Sequence, residues 1–274
     1  MASGNAPLTW VDISSLPSQR LLLSVDEIYV HKKTKYQDVW IVECRDYGKS
    51  LFLDGEWQSS VNNEFYYHES LVHPACVLHK TPRSVLVLGG GEGATIREIL
   101  KWKTIEKVTM VDIDGELVAE CRKHLPEMHQ GAFDDPRVEL IIEDAVEFLD
   151  KTQSSWDIII SDLTSPVESG PSDRLYSSEY LGKCMKILNP DGLFVIQSGS
   201  SLIFSLPGHA KLAKNIRGVF PYSISYANID GWTFVAASKK EIEKRIVIED
   251  FDLTISNTLS SDLKALDGFV FVQK

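Results

Sequence analysis

Through the first 60 residues, apolar and polar positions alternate in short runs. The stretches "LLLSVDEIYVHKKT", "DVWIVECRDYG" and "KSLFLDGEWQSS" are rich in β-branched and aromatic side chains. Asp46, Tyr47 and Gly48, then Asp54 and Gly55, separate them. A period of two bounded by turn formers predicts a meander of strands. "NNEFYYHESLVHPACVLH" breaks that rhythm. Phe65, Leu71 and Val72 fall on one helical stripe there, with Asn62 or Asn63 as the cap.

From "RSVLVLGGG" onward strands and helices alternate. "SVLVLGG", "EKVTMVDID", "RVELIIED", "WDIIISDL" and "GLFVIQSG" read as strands. Between them "ATIREILKW", "GELVAECRKHL", "AVEFLDK" and "SSEYLGKCMKIL" read as helices, the last stopped by Asn189, Pro190, Asp191 and Gly192. "GHAKLAKNIRGVF" and two further strands, "SISYANI" and "GWTFVAAS", close the pattern. Unbroken apolar runs suit strands covered on both faces, and the alternation gives a mostly parallel sheet with helices on both sides. The expected fold is α/β. A small antiparallel β domain (1–60) precedes a Rossmann-like domain of the class I methyltransferase type (61–240), and 241–274 is a tail to which the pattern assigns no element.

Composition narrows the partners. At 274 residues the chain can bury one sizeable core and a smaller companion. Its formal net charge of -11 weighs against nucleic acid and toward cationic ligands. Cys44, Cys76, Cys121 and Cys184 are scattered, with no CxxC pair, so a reduced protein without a metal site is expected. No basic-then-apolar leader and no 18-residue apolar run is present, which predicts a cytoplasmic protein with no membrane contact.

"GGGEG" (89–93) follows an apolar strand and opens a helix, the setting of a nucleotide-binding glycine loop, with Gly89 and Gly91 as binding candidates. Both NAD-binding and nucleoside-binding folds use such loops, so the acids around it decide. Glu92 would repel a phosphate and suits an ammonium. Asp112 ends the second strand about 20 residues on, where a carboxylate accepts from ribose hydroxyls. Asp144 ends the third and could accept from an adenine amino group, although an Asp there is also a common helix cap. Together they describe a site for adenosine with a positive tail, better matched by a sulfonium of the S-adenosylmethionine type than by NAD.

The fourth strand adds "SDLTSPVESGPSDRLYSSEYL". With "YQD" (36–38), "LDGEWQ" (53–58), "YYHES" (66–70), "GGGEG", "VDID" (111–114), "EDA" (143–145), "SDLTSP" (161–166) and Gly170-Pro171, the chain resembles the polyamine aminopropyltransferases, that is, the spermidine, spermine and thermospermine synthases. The resemblance implies decarboxylated S-adenosylmethionine as co-substrate, a polyamine acceptor, methylthioadenosine as product and no tightly bound cofactor. It sets Glu92 against the propylamine cation and gives the nucleoside to Gln37, Asp112, Asp144, Ala145 and Pro171. His68 and Glu92 border the amine sites, where Gln58, Ser165 and Trp232 are further acceptor-binding candidates. Asp162 is the implied base, with Tyr67 as its second hydrogen-bond partner.

Within the family, "GGGEG" rather than GGGDG, "SDLTSPVESGP" and "IQSG" (196–199) look most like the thermospermine synthase branch, so spermidine is the expected acceptor. Ser165 stands where many members carry a second Asp. The segment between Tyr226 and Trp232 is several residues short, which predicts a more open acceptor pocket. Trp10 matches an aromatic that lines the amine site in such enzymes. The rival readings are a spermidine synthase acting on putrescine or agmatine, an N-methyltransferase on the same scaffold, and a regulatory paralogue. Edge strands of the β domain predict a homodimer or homotetramer.

Overall fold

Alternation along the N-terminal strands sends Val39, Ile41, Leu51 and Leu53 to one face and Val42, Cys44 and Phe52 to the other. The structure is a computed structural model that describes residues 7–13, 20–164, 171–200, 206–228, 230–242 and 270–272. In it, β1 (Thr9–Asp12), β2 (Leu22–Lys33), β3 (Asp38–Cys44), β4 (Gly48–Leu53) and β5 (Glu56–Ser60) form one antiparallel sheet in chain order. Asp54 (φ 51°) and Gly55 (φ 82°) join Leu53 to its partner Glu56, the two-residue turn whose twist matches a hairpin.

α1 (Glu64–His79) follows. Leu71 and Val72 are buried as expected, but the buried surface also takes in Glu64, His68, Glu69 and His73. The expected cap differs in detail. Asn63 holds the N-cap position without a side-chain capping bond, and its Oδ1 instead accepts from Ser60 Oγ. Asn62 points to the Asp46 carbonyl.

The second sheet contains β6 (Ser84–Gly89), β7 (Lys107–Asp112), β8 (Val138–Ile142), β9 (Trp156–Asp162), β10 (Leu188–Ser200), β11 (Tyr222–Ala227), β12 (Trp232–Ser238) and β13 (Val270–Val272). Its order is β13-β11-β12-β10-β9-β6-β7-β8, parallel from β10 to β8 and antiparallel at the other edge. The connecting helices are α2 (Ala94–Leu100), α3 (Gly115–His124), α4 (Pro126–His129), α5 (Ala145–Lys151), α6 (Ser178–Ile187) and α7 (Leu206–Val219). Two details go beyond the hydrophobic pattern. β10 begins at Leu188, before the expected stop, and a register shift between Leu188 and Leu193 absorbs the Asn-Pro-Asp-Gly stretch. Val270–Val272, in the unplaced tail, add an edge strand to β11.

The apolar runs have the expected cause. Val85, Val87, Ile158 and Ile160 enter one core layer, and Leu86, Leu88 and Ile159 the other. A third cluster packs Val39, Ile41, Leu51 and Leu53 against Ala94, Leu117, Cys121, Leu125 and Met128. Each Val, Ile, Leu or Met side chain among these stabilises by about 1.5–3 kcal/mol when fully buried, so this seam fixes the small sheet over the glycine-loop side of the large one. Among the described residues no helix is long and apolar enough to cross a membrane.

Candidate active site

The chain runs from β6 outward through β7 and β8, then returns to the other side of β6 as β9. That reversal leaves a crevice beyond the strand ends, where open α/β sheets bind ligands. Gly89 pairs with Asp162 across it, and Asp112 ends the neighbouring strand. A cavity of about 210 Å³ opens there, under β4 and β5 of the small sheet. Gln37, Gln58, Tyr67, Gly89, Gly91, Glu92, Asp112, Asp162 and Trp232 all line it. A narrower slot of about 80 Å³ shares Gly89 and Asp112 and adds Asp144 and Ala145.

Asp162 is held at both oxygens. Tyr67 Oη donates to Oδ1 at 2.8 Å and Thr95 Oγ1 to Oδ2 at 2.5 Å. Burial, then the like charge of Glu92, raises the Asp162 carboxyl above its ordinary value against these bonds and against His68. Burial and the Asp162 charge keep the Tyr67 phenol protonated as a donor. Trp232 packs edge-on to Tyr67, with ring centres 5.1 Å apart. It starts β12 after a tight turn that Asn228 closes, accepting from Trp232 N and donating to the Tyr66 carbonyl of α1.

His68 needs correction. It is 1% exposed and absent from the cavity wall, so, contrary to expectation, it has no place bordering the cavity. It stands behind Glu92, with Nε2 3.3 Å from Glu92 Oε1 at ion-pair distance without hydrogen-bond alignment. On its other side Nδ1 lies 2.7 Å from Glu64 Oε2. Burial opposes a charge on the ring, but Glu64 and Glu92 override it and push His68 up to about 10. Burial likewise raises Glu92, and the imidazolium reverses that, holding Glu92 below the ordinary carboxylate value.

Asp112 Oδ1 accepts from Asp114 N at 2.8 Å, so its second oxygen faces Gly91 and the cavity. Burial pushes Asp112 up to about 7, with like charges on Asp114, Glu92 and Asp162 adding to the effect. Gln37 is positioned by Asp114, to which it donates at 3.0 Å, and Thr34 donates to the same oxygen at 2.6 Å.

Asp144 takes the cap role, and its other oxygen has a protein partner. Oδ1 caps α5 by accepting from Val146 N at 2.8 Å, while Oδ2 pairs with Arg174 beside the slot. Pro171 begins the 3-10 turn Pro171–Tyr176, and Ser165 lies outside the described residues. Trp10 is 57% exposed and lines a separate hollow with Leu22, Leu23 and Tyr47 on the small sheet, not the amine side of the cavity. Several wall or support residues escaped the sequence reading. Glu56, Trp57 and Gln197 line the cavity inside motifs quoted above, and Thr95 and Asp114 support it from within the glycine-loop helix and "VDID".

Residues 64–251 match the spermine/spermidine synthase domain, and residues 9–60 match the spermidine synthase tetramerisation domain. The chain belongs to the spermine/spermidine synthase family. It is a polyamine aminopropyltransferase. A polyamine aminopropyltransferase of a Synechococcus species is 45% identical over 96% of this chain and 88% of its own length. One from Aeropyrum pernix is 41% identical over 92% and 82%. Spermidine synthase from Thermotoga maritima superposes with a TM-score of 0.77 at 30% identity, covering 89% of this chain and 81% of that one. A spermidine synthase bound to the transition state analogue AdoDATO superposes at 0.79 and 30%, covering 89% and 82%.

Proposed function

We propose that this aminopropyltransferase uses decarboxylated S-adenosylmethionine as donor and spermidine as acceptor, giving thermospermine and methylthioadenosine. The observation that carries the reading is the convergence of Glu92, Asp112 and Asp162 on one cavity, with Glu92 inside the glycine loop. A donor stripped of its carboxylate presents an ammonium to Glu92, and an intact donor would bring a second anion there, which argues against methyl transfer. The free oxygen of Asp112 suits the ribose hydroxyls, and Ala145, Asp144 and Pro171 would flank the base, with Asp144 exchanging Arg174 for the adenine amine. Gln58, Glu56 and the rings of Trp57 and Trp232 support a long acceptor: carboxylate and amide at the rim, aromatic walls for methylenes.

In the reaction, an acceptor nitrogen forms a bond to the propyl carbon as the carbon–sulfur bond breaks. The bonding pair leaves on sulfur as a neutral thioether, and the proton lost by the nitrogen goes to Asp162. Residues 61–240 would carry this chemistry and 1–60 the assembly. Leu8, Trp10 and Leu22 are exposed on β1, β2 and their approach, supporting a homodimer or homotetramer built through that sheet. We place the enzyme in the cytoplasm.

The test is an acceptor panel. Putrescine, agmatine and spermidine are offered side by side with decarboxylated and intact donor, and products are separated by chromatography before mass measurement. Spermidine should be consumed fastest, with thermospermine as product. Faster turnover of putrescine overturns the acceptor assignment, and a methylated product overturns the donor.

Asp112 adds a pH dependence. It accepts from both ribose hydroxyls only when ionised, so lowering the pH through about 7 protonates it and weakens nucleoside binding. The Kd of methylthioadenosine, a probe without a tail charge, should rise up to about tenfold per pH unit below that point. A flat calorimetric titration across that range would remove Asp112 from the nucleoside site.

A further inference from the structure

Behind Glu92 runs a row of buried charges that no step of the transfer touches. Arg97 grips Glu64 with both terminal nitrogens at 2.9 Å, donates to the Met128 carbonyl at 2.5 Å, and reaches Glu98 through Nε at 2.8 Å. Glu98 in turn meets His73 Nε2 at 2.8 Å and Lys101 at 2.6 Å. Glu64 and Arg97 are each 8% exposed, and Glu98 1%. A bidentate guanidinium fork fixes orientation as well as charge.

The hydrogen bonds assign the protons. Trp102 Nε1 can only donate, and it donates to His73 Nδ1 at 3.0 Å, so the His73 proton sits on Nε2 and points at Glu98. His73 is therefore neutral, as its burial favours. His68 differs. Its Nδ1 meets two acceptors, the Glu64 carboxylate and the Glu64 carbonyl, and its Nε2 faces the Glu92 carboxylate. Both ring nitrogens must carry protons for these contacts to attract. Glu92, His68, Glu64, Arg97, Glu98 and Lys101 thus alternate in sign from the cavity to the surface.

We propose that Glu64, clamped by Arg97, is a positioning residue that keeps His68 an imidazolium and thereby keeps Glu92 and Asp162 ionised in the cavity. The proposal rests on the assignment of Glu92 and Asp162 to the reacting amines. Several groups surround these two acids. Asp112 comes from β7, with Asp114 behind it; Tyr67 comes from α1, Cys121 from α3 and Tyr176 from the turn before α6. The carboxylates repel one another. Cys121, Tyr67 and Tyr176 stay neutral, because burial pushes each of them up. His68 supplies the positive charge that opposes this repulsion. Burial drives a proton off an imidazole unless carboxylates oppose it, and His68 has two. Removing the Glu64 charge leaves only the unaligned contact with Glu92, so His68 holds its second proton less tightly and the acid cluster takes up a proton nearer neutral pH.

The test is Glu64→Gln, which keeps the shape and one acceptor for Arg97. The pH profile of kcat/KM for the donor should lose activity on its acid side about 1–3 units higher than in the wild type. Activity on the alkaline plateau should be largely retained. Glu64→Asp, which keeps the charge, should return the acid limb toward its wild-type position. A merely structural Glu64 would lower the plateau and leave the limb in place, and that result overturns the proposal. Nitrogen-15 spectra of the wild-type histidines give a second readout that needs no variant. Both His68 nitrogens should remain protonated well above the ordinary histidine range, and a neutral ring at neutral pH overturns the proposal as well. Undiminished turnover in Glu92→Gln would instead sink the site assignment, and the His68 titration would still judge whether the row of charges does its work.

Discussion

Asp162→Asn should lower kcat about a thousandfold while leaving the donor Kd nearly unchanged. The nucleophile sets the scale. An alkyl ammonium of pKa near that of lysine, about 10.4, is neutral in only about one molecule in a few thousand at pH 7. Restoring that population is worth roughly 4–5 kcal/mol. A base helps most when its own pKa lies near the working pH, and burial together with Glu92 moves Asp162 up from the ordinary carboxylate value in that direction. Asparagine keeps the shape. Its oxygen can still accept from Tyr67 or Thr95, and either hydroxyl can turn to accept from its amide, so the cavity wall survives. What disappears is the charge that orients the ammonium and the lone pair that takes its proton. Single-turnover release of methylthioadenosine, measured beside donor binding, separates the two. At saturating donor, the part of the wild-type acid limb set by Asp162 should also vanish in the variant, while that of Asp112 on donor binding remains. A kcat within tenfold of the wild type would remove Asp162 from the proton path.

The fold and the three acids could be read from the chain because each rests on a local signal. β6 and β9 carry unbroken apolar runs, residues 85–88 and 158–160, since helices cover both faces, and an Asp just after such a run emerges at the strand's C-terminal end. The register Gly89–Asp162 then follows from the sheet. Long-range pairing carries no such signal. His68 reads as a polar residue on a helix face; Glu64 is one turn away on the same helix, but only the approach of the glycine loop to α1 brings Glu92 to its other side. The match to a family motif drew it toward the substrate, whereas burial assigns it to the support of Glu92. Arg174 reaches back 30 residues to Asp144, a separation at which periodicity is silent. Trp10 shows the same limit from the other side. An aromatic near the N-terminus reads as a wall of the amine site, yet strand pairing with Ser24 carries it to another face.

Gly89→Ala should be the most damaging added methyl among the described glycines, costing roughly 3–5 kcal/mol of stability, the sum of backbone strain and overpacking. Gly89 has φ +87°, a conformation that side-chain-bearing residues seldom adopt. Its added Cβ would also sit 2.1 Å from the Asp162 carbonyl oxygen and 2.9 Å from the carbonyl carbon. Both obstacles are backbone, so no rotamer change relieves them. The strand ends must part, and the bond from Gly90 N to the Asp162 carbonyl at 3.0 Å parts with them. Asp162 then leaves the reach of Tyr67 and Thr95, so the folded fraction should lose turnover as well as stability. Gly131 supplies the control. Its φ is +83°, nearly the same, but nothing lies within 4 Å of its added Cβ. Gly131→Ala therefore carries the strain alone, on the order of 1 kcal/mol, and should leave kcat intact. Chemical denaturation of the two variants, run side by side with activity, isolates the overlap from the strain. Equal losses of stability would mean that the close approach of β6 and β9 does not hold the catalytic carboxylate in place.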